Sequence, residues 1–299
     1  MTDRSIAVIG LGIMGGPMAH NLVDAGYPVT GYNRSTEPVE ELVDHGGEGA
    51  TSAAEAAAGA DVVITCLPDS EVVAQVMRAD DGIIAGVDAG ATVVDMSTIS
   101  PTVTQEIADE LADQDVEMLD APISGGEEGA IEGTLSIMVG GPEAVFEDIL
   151  PIFEVLGSTV THCGPSGAGQ VTKACNQIVV ANTMAAVSEA LLFAKKAGAD
   201  LEAVVDAISG GAAGCWALDN RAPTMIRGDF EPGFFASYQY KDLRIATLAG
   251  QEYGVPMPTT ASTHELYKSA VELGHGRDDN SGVLQVLETM AGTEARIDE

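Results

Sequence analysis

The chain has 299 residues, of which 45% are hydrophobic and 4% aromatic, and its 46 acidic and 13 basic side chains give a formal net charge of -33. This length and hydrophobic fraction predict two domains with a sizeable core, and they exclude a disordered or fibrous protein. The negative charge argues against binding to nucleic acid or to anionic lipid, because both depend on clustered Lys and Arg.

The first half of the sequence alternates short apolar runs with amphipathic stretches. Helical stretches such as 13–25 and 102–112 separate the apolar runs and make βαβ units, which predict a doubly wound parallel sheet covered on both faces. Strands are predicted at residues 5–9, 29–32, 61–67, 92–95, 116–119, 135–139 and 160–163.

The pattern changes near Gly164, after which only helical periodicity remains. The sequence therefore predicts an α/β domain over residues 1–164 and an all-α domain over residues 165–299. No Pro-rich linker separates them, so we expect a packed boundary. Helices in the second half are predicted at 170–196, 201–208, 241–253, 259–273 and 282–290.

Three glycines, Gly10, Gly12 and Gly15, follow the first predicted strand and open the first predicted helix. In this context Gly10 permits a tight turn, Gly12 lets the backbone approach a pyrophosphate, and Gly15 lets helix and strand pack closely. The free N–H groups of the helix N-terminus favour phosphate. A tight turn without a ligand is the alternative, but the strand-turn-helix context favours a dinucleotide site. The other residues of this predicted cofactor loop are Leu11, Ile13 and Met14.

The second predicted strand leads into Asn33, Arg34 and Ser35, at the position where an acidic residue would bind the ribose 2'-hydroxyl of NAD. An acid is missing there. A guanidinium can pair with a 2'-phosphate, whereas a carboxylate would repel it, so we predict NADP as the preferred cofactor and NAD as the alternative. The competing interpretation is that Arg34 is a solvated surface charge.

Two further segments carry candidate substrate-binding groups. Ser124, Gly125 and Gly126 follow a strand and a proline, and their N–H groups and hydroxyl can cradle a small carboxylate, although similar turns occur in ordinary loops. Lys173 and Asn176 lie one turn apart on the long predicted helix and can reach one ligand. Desolvation lowers the pKa of a lysine, so a buried lysine can exchange a proton with a carbonyl or alcohol oxygen. The alternative is a lysine that extends its ammonium group into solvent.

The four cysteines form no C-x-x-C pair and no His stands at ligand spacing, so we predict neither a metal site nor a disulfide framework. No uncharged apolar run reaches 18 residues and no secretory segment is found, which predicts a cytoplasmic protein without a membrane-spanning helix. The acidic surplus and the scarcity of lysine predict a halophilic cell. At about 1 M salt the Debye length falls to ~3 Å and screens self-repulsion. An ordinary acidic protein is the alternative.

Four segments in chain order, 10–22, 120–126, 167–176 and 241–243, resemble the β-hydroxyacid dehydrogenases. That family includes 3-hydroxyisobutyrate dehydrogenase, tartronate semialdehyde (2-hydroxy-3-oxopropionate) reductase, and the glyoxylate and succinic semialdehyde reductases. The resemblance runs end to end and implies a Rossmann-type N-terminal domain followed by an all-α C-terminal domain. It also implies reversible NAD(P)-dependent hydride transfer with a short semialdehyde or 3-hydroxyacid, and a homodimer or homotetramer assembled through the helical domain.

Within the family, the segments 125–135, 176–177 and 208–214 are most similar to the reductases of 2-hydroxy-3-oxopropionate, whereas 214–216 is similar to 3-hydroxyisobutyrate dehydrogenase. The resemblance implies that Lys173 is the catalytic acid and base and that Asn176 fixes the substrate. It implies that the substrate carboxylate is held by Ser124, Gly125 and Gly126. The remaining implied positions, which lie along the cofactor or between cofactor and substrate, are Leu67, Pro68, Thr98 and Lys241.

Three alternatives stay open at this point. Imine reductases share the architecture but usually lack the lysine at position 173, and the longer 6-phosphogluconate dehydrogenases would need more basic residues for phosphate than the helical half offers. A non-catalytic NADP-sensing protein could keep the fold, because fold alone does not imply function. Loss of Lys173, Asn176 or Lys241 would have favoured that interpretation, and all three are present.

Overall fold

The computed structural model describes residues 4–297, which divide into two compact units, one ending at Lys173 and the other beginning at Ala174. The strands of the first unit are β1 (Ile6–Ile9), β2 (Val29–Tyr32), β3 (Glu48–Gly49), β4 (Val62–Thr65), β5 (Thr92–Asp95), β6 (Glu117–Asp120), β7 (Ile123–Ser124), β8 (Leu135–Gly140) and β9 (Gly157–Gly164). Its helices are α1 (Gly15–Asp24), α2 (Glu37–Asp44), α3 (Ala53–Ala57), α4 (Ser70–Arg78), α5 (Ile83–Gly86), α6 (Pro101–Ala112), α7 (Gly126–Glu132) and α8 (Glu143–Leu156).

The strands form one sheet in the order β3-β2-β1-β4-β5-β6-β8-β7, with β9 beside β8. Strands β1 to β6 pair in parallel, as the sequence predicts. The far edge differs, because β8 runs antiparallel to both β6 and β7. Residues 125–134 connect β7 to β8 and reverse the direction of the chain. An antiparallel pair of this kind needs no long crossover connection.

Both faces of the sheet are covered, which explains why the strand sequences are almost uniformly apolar. Alternate residues of β1 point to opposite sides, so Ile6 and Val8 join one core cluster while Ala7 and Ile9 join the other. The first cluster includes residues of α1 and α8, and the second includes residues of α3, α4 and α6. The structure thus confirms the predicted doubly wound domain.

The second half is helical, as predicted, and its long helix α9 (Ala168–Ala197) begins in the first unit and continues into the second. The core of the second unit includes Met184, Leu243, Tyr267 and Leu284. A π-helical turn (Val271–His275) and a 3-10 turn (Asn280–Gly282) lie in the second unit. Its other helices are α10 (Leu201–Ser209), α11 (Trp216–Asn220), α12 (Ala222–Met225), α13 (Ala236–Glu252), α14 (Pro258–Ala270) and α15 (Val283–Ala291).

Two of the scarce lysines fasten the C-terminal segment within this second unit. Lys195 Nζ donates to the carbonyl oxygen of Arg296 at 2.7 Å, and Lys196 Nζ donates to that of Ala291 at 2.8 Å. The guanidinium of Arg296 in turn pairs with Glu288. The end of α9 therefore holds residues 291–296 against the helical core.

By length and composition, α9 is apolar enough to span a membrane, and 44% of its most apolar window is buried. The core helix of a soluble protein meets the same test, so this is weak evidence. The absence of a membrane-spanning helix remains a prediction from the sequence.

Candidate functional site

The predicted cofactor residues of the first unit all follow the carboxyl ends of parallel strands. The glycine loop 10–15 follows β1, residues 33–35 follow β2, Leu67 and Pro68 come just after β4, and Thr98 comes after β5. Parallel strands place these ends along one edge of the sheet. The order reverses between β1 and β4, and ligands of open α/β sheets bind at such a switch point.

The three glycines of the loop meet different surroundings. A Cβ atom at Gly10, where φ is +96°, would lie 2.3 Å from the carbonyl oxygen of Cys66, and one at Gly15 would lie 1.8 Å from that of Gly10. A Cβ atom at Gly12 would meet no atom within 4 Å. Close packing thus requires Gly10 and Gly15, whereas Gly12 borders open space of the kind that a pyrophosphate of the cofactor would fill.

Asn33 connects the glycine loop to the end of β2. Its Oδ1 accepts the backbone N–H of Leu11 at 3.2 Å, and its Nδ2 donates to Ser35 Oγ at 2.8 Å. The sequence reasoning noted only that this position lacks an acid, and it missed this positioning role. Arg34 is exposed and makes no ion pair within residues 4–297. Its guanidinium is therefore available to a ligand phosphate.

The predicted carboxylate cradle begins where β7 ends, at Ser124. Gly125 and Gly126 have φ values of +144° and +67°, a conformation in which side chains other than that of glycine are strained. The next two residues, Glu127 and Glu128, are exposed in the first turn of α7. At low ionic strength their negative charges would repel an anionic substrate. Added salt would screen this repulsion, since it weakens interactions between exposed charges.

A buried carboxylate holds the start of α9. Asp120, the last residue of β6, accepts the backbone N–H groups of Gly167 and Gln170, each at 2.8 Å. Burial raises the pKa of Asp120, and the backbone N–H groups oppose that rise. Lys173 lies one turn after Gln170 and is only 5% exposed. This burial does not fit the alternative in which Lys173 extends into solvent.

A second buried carboxylate, Asp95, ends the neighbouring strand β5. Its Oδ1 accepts Thr65 Oγ1 at 2.7 Å and the backbone N–H of Ser97 at 3.1 Å. The register pairs Asp95 with Asp120. The sequence reasoning assigned no role to either residue, although Asp95 ends one predicted apolar strand and Asp120 directly follows another.

Burial raises the pKa of Asp95 to about 6, with a smaller contribution from the nearby Asp120, while hydrogen bonds from Ser97 and Thr65 lower it. An unfolded aspartate has a pKa of about 3.9, so the folded state binds this proton more tightly. The resulting stabilisation is complete below about pH 4 and is lost as the pH rises through about 6. At about 1.4 kcal/mol per unit, its upper bound is about 3 kcal/mol.

In the wild type, Asp95 should lower the unfolding free energy by up to about 3 kcal/mol as the pH rises from about 4 to about 7. We expect this contribution to be absent in Asp95→Asn. Denaturant unfolding of wild type and variant at matched salt measures this difference. Asp80→Asn, at an exposed position, is the control and should keep the wild-type slope. An unchanged slope in the Asp95 variant would contradict the assignment.

In the second unit, a chain of contacts joins the predicted substrate residues Asn176 and Lys241. Asn176 Nδ2 donates to Gln177 Oε1 at 2.8 Å, and Gln177 Nε2 donates to Asp242 Oδ2 at 2.6 Å. Lys241 Nζ lies 3.1 Å from the other oxygen of Asp242, which is 3% exposed. Gln177 and Asp242 adjoin the predicted residues in sequence, but the sequence reasoning gave them no role.

Comparisons with known proteins identify the family of the chain. A family model described as the NAD binding domain of 6-phosphogluconate dehydrogenase matches residues 5–164, and one described as NAD-binding of NADP-dependent 3-hydroxyisobutyrate dehydrogenase matches residues 167–287. The chain is 42% identical to 2-hydroxy-3-oxopropionate reductase of Escherichia coli, over 96% of this chain and 98% of that protein. It is 38% identical to 2-(hydroxymethyl)glutarate dehydrogenase of Eubacterium barkeri, over 97% of each.

A solved structure of Mycobacterium tuberculosis 3-hydroxyisobutyrate dehydrogenase with L-serine is also similar, with a TM-score of 0.90 and 36% identity over 95% of this chain and 99% of that one. The resemblance inferred from the four sequence segments is thereby confirmed along nearly the whole chain. The chain belongs to the 3-hydroxyisobutyrate dehydrogenase-like family of β-hydroxyacid dehydrogenases, and it is an NAD(P)-dependent oxidoreductase that acts on CH–OH groups.

Proposed function

We propose that this enzyme is a 2-hydroxy-3-oxopropionate (tartronate semialdehyde) reductase that prefers NADPH. The observation that supports this type of reaction is the burial of Lys173. This lysine lies one turn after Gln170, whose backbone N–H donates to the carboxylate of Asp120 at the start of α9. The relative from Escherichia coli supports the substrate. The similarity to the M. tuberculosis structure favours 3-hydroxyisobutyrate dehydrogenase as the second candidate. Glyoxylate and succinic semialdehyde are further substrates to test.

The proposed roles follow from the chemistry of the residues. The cofactor would be held by the glycine loop and by six further residues, which are Asn33, Arg34, Ser35, Leu67, Pro68 and Thr98. When bound, the nicotinamide supplies or accepts the hydride. Protonated Lys173 donates its proton to the substrate oxygen in reduction, and its charge stabilises the alkoxide that forms there; in oxidation the neutral amine takes the proton back.

The remaining roles concern orientation. The hydroxyl of Ser124 and the N–H groups of Gly125 and Gly126 bind the substrate carboxylate, which fixes the carbonyl group and lowers the entropic part of the barrier. Asn176 and Lys241 contact the substrate, and Lys241 also contacts the cofactor. Gln177 and Asp242 hold these two side chains in place through the contacts described above.

A steady-state panel tests the proposal by crossing NADPH and NADH with tartronate, methylmalonate and succinic semialdehydes and glyoxylate, together with the corresponding alcohols. We expect the highest kcat/KM for tartronate semialdehyde with NADPH. Preferential oxidation of 3-hydroxyisobutyrate with NAD would instead establish the second candidate.

The same panel tests the proposed high-salt cytoplasm when it is repeated from about 0.1 to about 1 M KCl, where the Debye length falls from ~10 to ~3 Å. The anionic substrate meets a protein of charge -33, so we expect turnover to rise with salt. Maximal activity and stability at the lowest salt would refute the halophilic origin. Sedimentation in the same buffers measures the proposed homodimer or homotetramer.

We expect Arg34→Ala to lower kcat/KM for NADPH by about 10-fold to 100-fold and to leave that for NADH nearly unchanged. The reason is the loss of a hydrogen bond to a charged group, worth about 1.5–3 kcal/mol. The control is Arg78→Ala, which removes an exposed arginine paired with Glu110. Kinetics with both cofactors give the ratio, and an unchanged NADPH:NADH preference in the Arg34 variant would show that this residue does not read the 2'-phosphate.

A further inference from the structure

The side chain of Gln170 joins two segments of the first unit that carry proposed site residues. Its Oε1 accepts the backbone N–H of Ile99 at 3.0 Å, and its Nε2 donates to the carbonyl oxygen of Ser97 at 2.8 Å. These two groups flank Thr98. Gln170 is 1% exposed, so both hydrogen bonds are shielded from water.

The backbone of Gln170 is fixed as well. Its N–H donates to Asp120, which anchors the first turn of α9 to the end of β6. Residues 96–100 form neither helix nor strand, so their position depends on contacts of this kind. Asp95 binds the same loop from the sheet side through the backbone N–H of Ser97.

Lys173 follows Gln170 by three residues, so the two project from neighbouring positions on one side of α9. A change in the link between Gln170 and the loop would therefore displace Thr98 relative to Lys173. Misplacement of reacting groups by about 1 Å can cost about 100-fold in rate. Binding of the substrate carboxylate at Ser124 to Gly126 depends on other contacts and would change less.

We propose that Gln170 is a positioning residue, which locks the loop carrying Thr98 to the helix carrying Lys173 and so sets their relative position for hydride and proton transfer. This inference rests on the proposed function. It assigns to Gln170 an effect on the chemical step rather than on the binding of cofactor or substrate.

Gln170→Met tests this, because methionine has nearly the same length and volume but makes neither hydrogen bond. We expect kcat to fall at least about 10-fold, while KM for the semialdehyde and Kd for NADPH change less than about twofold. The isotope effect with 4-deuterated NADPH should rise, since hydride transfer becomes rate-limiting. The control is Gln105→Met, which removes an exposed hydrogen bond from a glutamine to Ser166, just before α9, at 3.1 Å.

Hydrogen exchange without cofactor or substrate provides a second readout. In the Gln170 variant, exchange should accelerate in peptides covering 96–100 and 168–173 and stay unchanged in the remainder of the first unit. A loss that falls on KM alone, an equal loss of kcat in the Gln105 variant, or unchanged exchange in both segments would overturn the inference. A wild-type enzyme inactive on the whole panel would refute the proposed function instead. The exchange result would still decide whether Gln170 holds residues 96–100 against the start of α9.

Discussion

Replacement of Lys173 by methionine is expected to lower kcat by a factor of about 10²–10⁴, the usual contribution of a general acid or base. Methionine retains the apolar stem of this buried side chain and removes only the ammonium group, so the fold should persist. Binding of NADPH should stay within about twofold of wild type, because the proton is transferred to the substrate. Steady-state kinetics and a fluorescence titration of NADPH separate the two quantities.

Lys268→Met provides the matched control, since Lys268 is an exposed lysine of the second unit whose ammonium group lies 3.5 Å from Glu265. It should retain wild-type kcat. Near-normal turnover in the Lys173 variant would remove this lysine from the mechanism.

The second large effect is a contrast between two glycines of the cofactor loop. Gly15→Ala places a methyl group where the carbonyl oxygen of Gly10 already lies, so we expect it to lower the unfolding free energy by more than about 3 kcal/mol or to abolish folding. Gly12→Ala adds a methyl group that meets no protein atom, so its melting temperature should equal that of wild type. Its Kd for NADPH should nevertheless rise at least about 10-fold, because the added carbon blocks close approach of the pyrophosphate.

Thermal unfolding and calorimetric titration of both variants measure this contrast. Wild-type affinity in a folded Gly12→Ala protein would mean that the loop does not hold the pyrophosphate. Wild-type stability of Gly15→Ala would mean that helix α1 can move away from β1 at little cost.

Much of the fold is predictable from local patterns. The apolar runs around β1, β4 and β5 and the glycines after β1 each indicate their structure within about ten residues of sequence. The antiparallel edge at β8 could not be predicted in this way, because strand direction depends on which strand a returning segment meets. The π-helical turn after α14 begins at Val271, inside the helix predicted over 259–273, and continues past its predicted end.

The candidate site likewise contains some residues that the sequence identifies and others that it does not. Arg34 is visible in the sequence because basic residues are scarce in this composition, and Lys173 is visible because segment 167–176 resembles the family. The roles of Asp95, Asp120 and Gln170 depend on contacts between residues 30 to 73 positions apart, as in the bond of Gln170 to Ser97 across 73 residues. Such contacts exist only once the sheet has formed, so a local pattern can mark Asp95 and Asp120 but does not identify the partners of these residues.

The distribution of the five lysines has a practical consequence for chemical modification. Lys173 is buried, Lys241 lies against Asp242, and Lys195 and Lys196 donate to carbonyl groups of the C-terminal segment. Lys268 is exposed, and its ammonium group lies 3.5 Å from Glu265 on the same helix. Among the lysines, amine-reactive dyes should therefore modify the exposed Lys268 well before the buried Lys173.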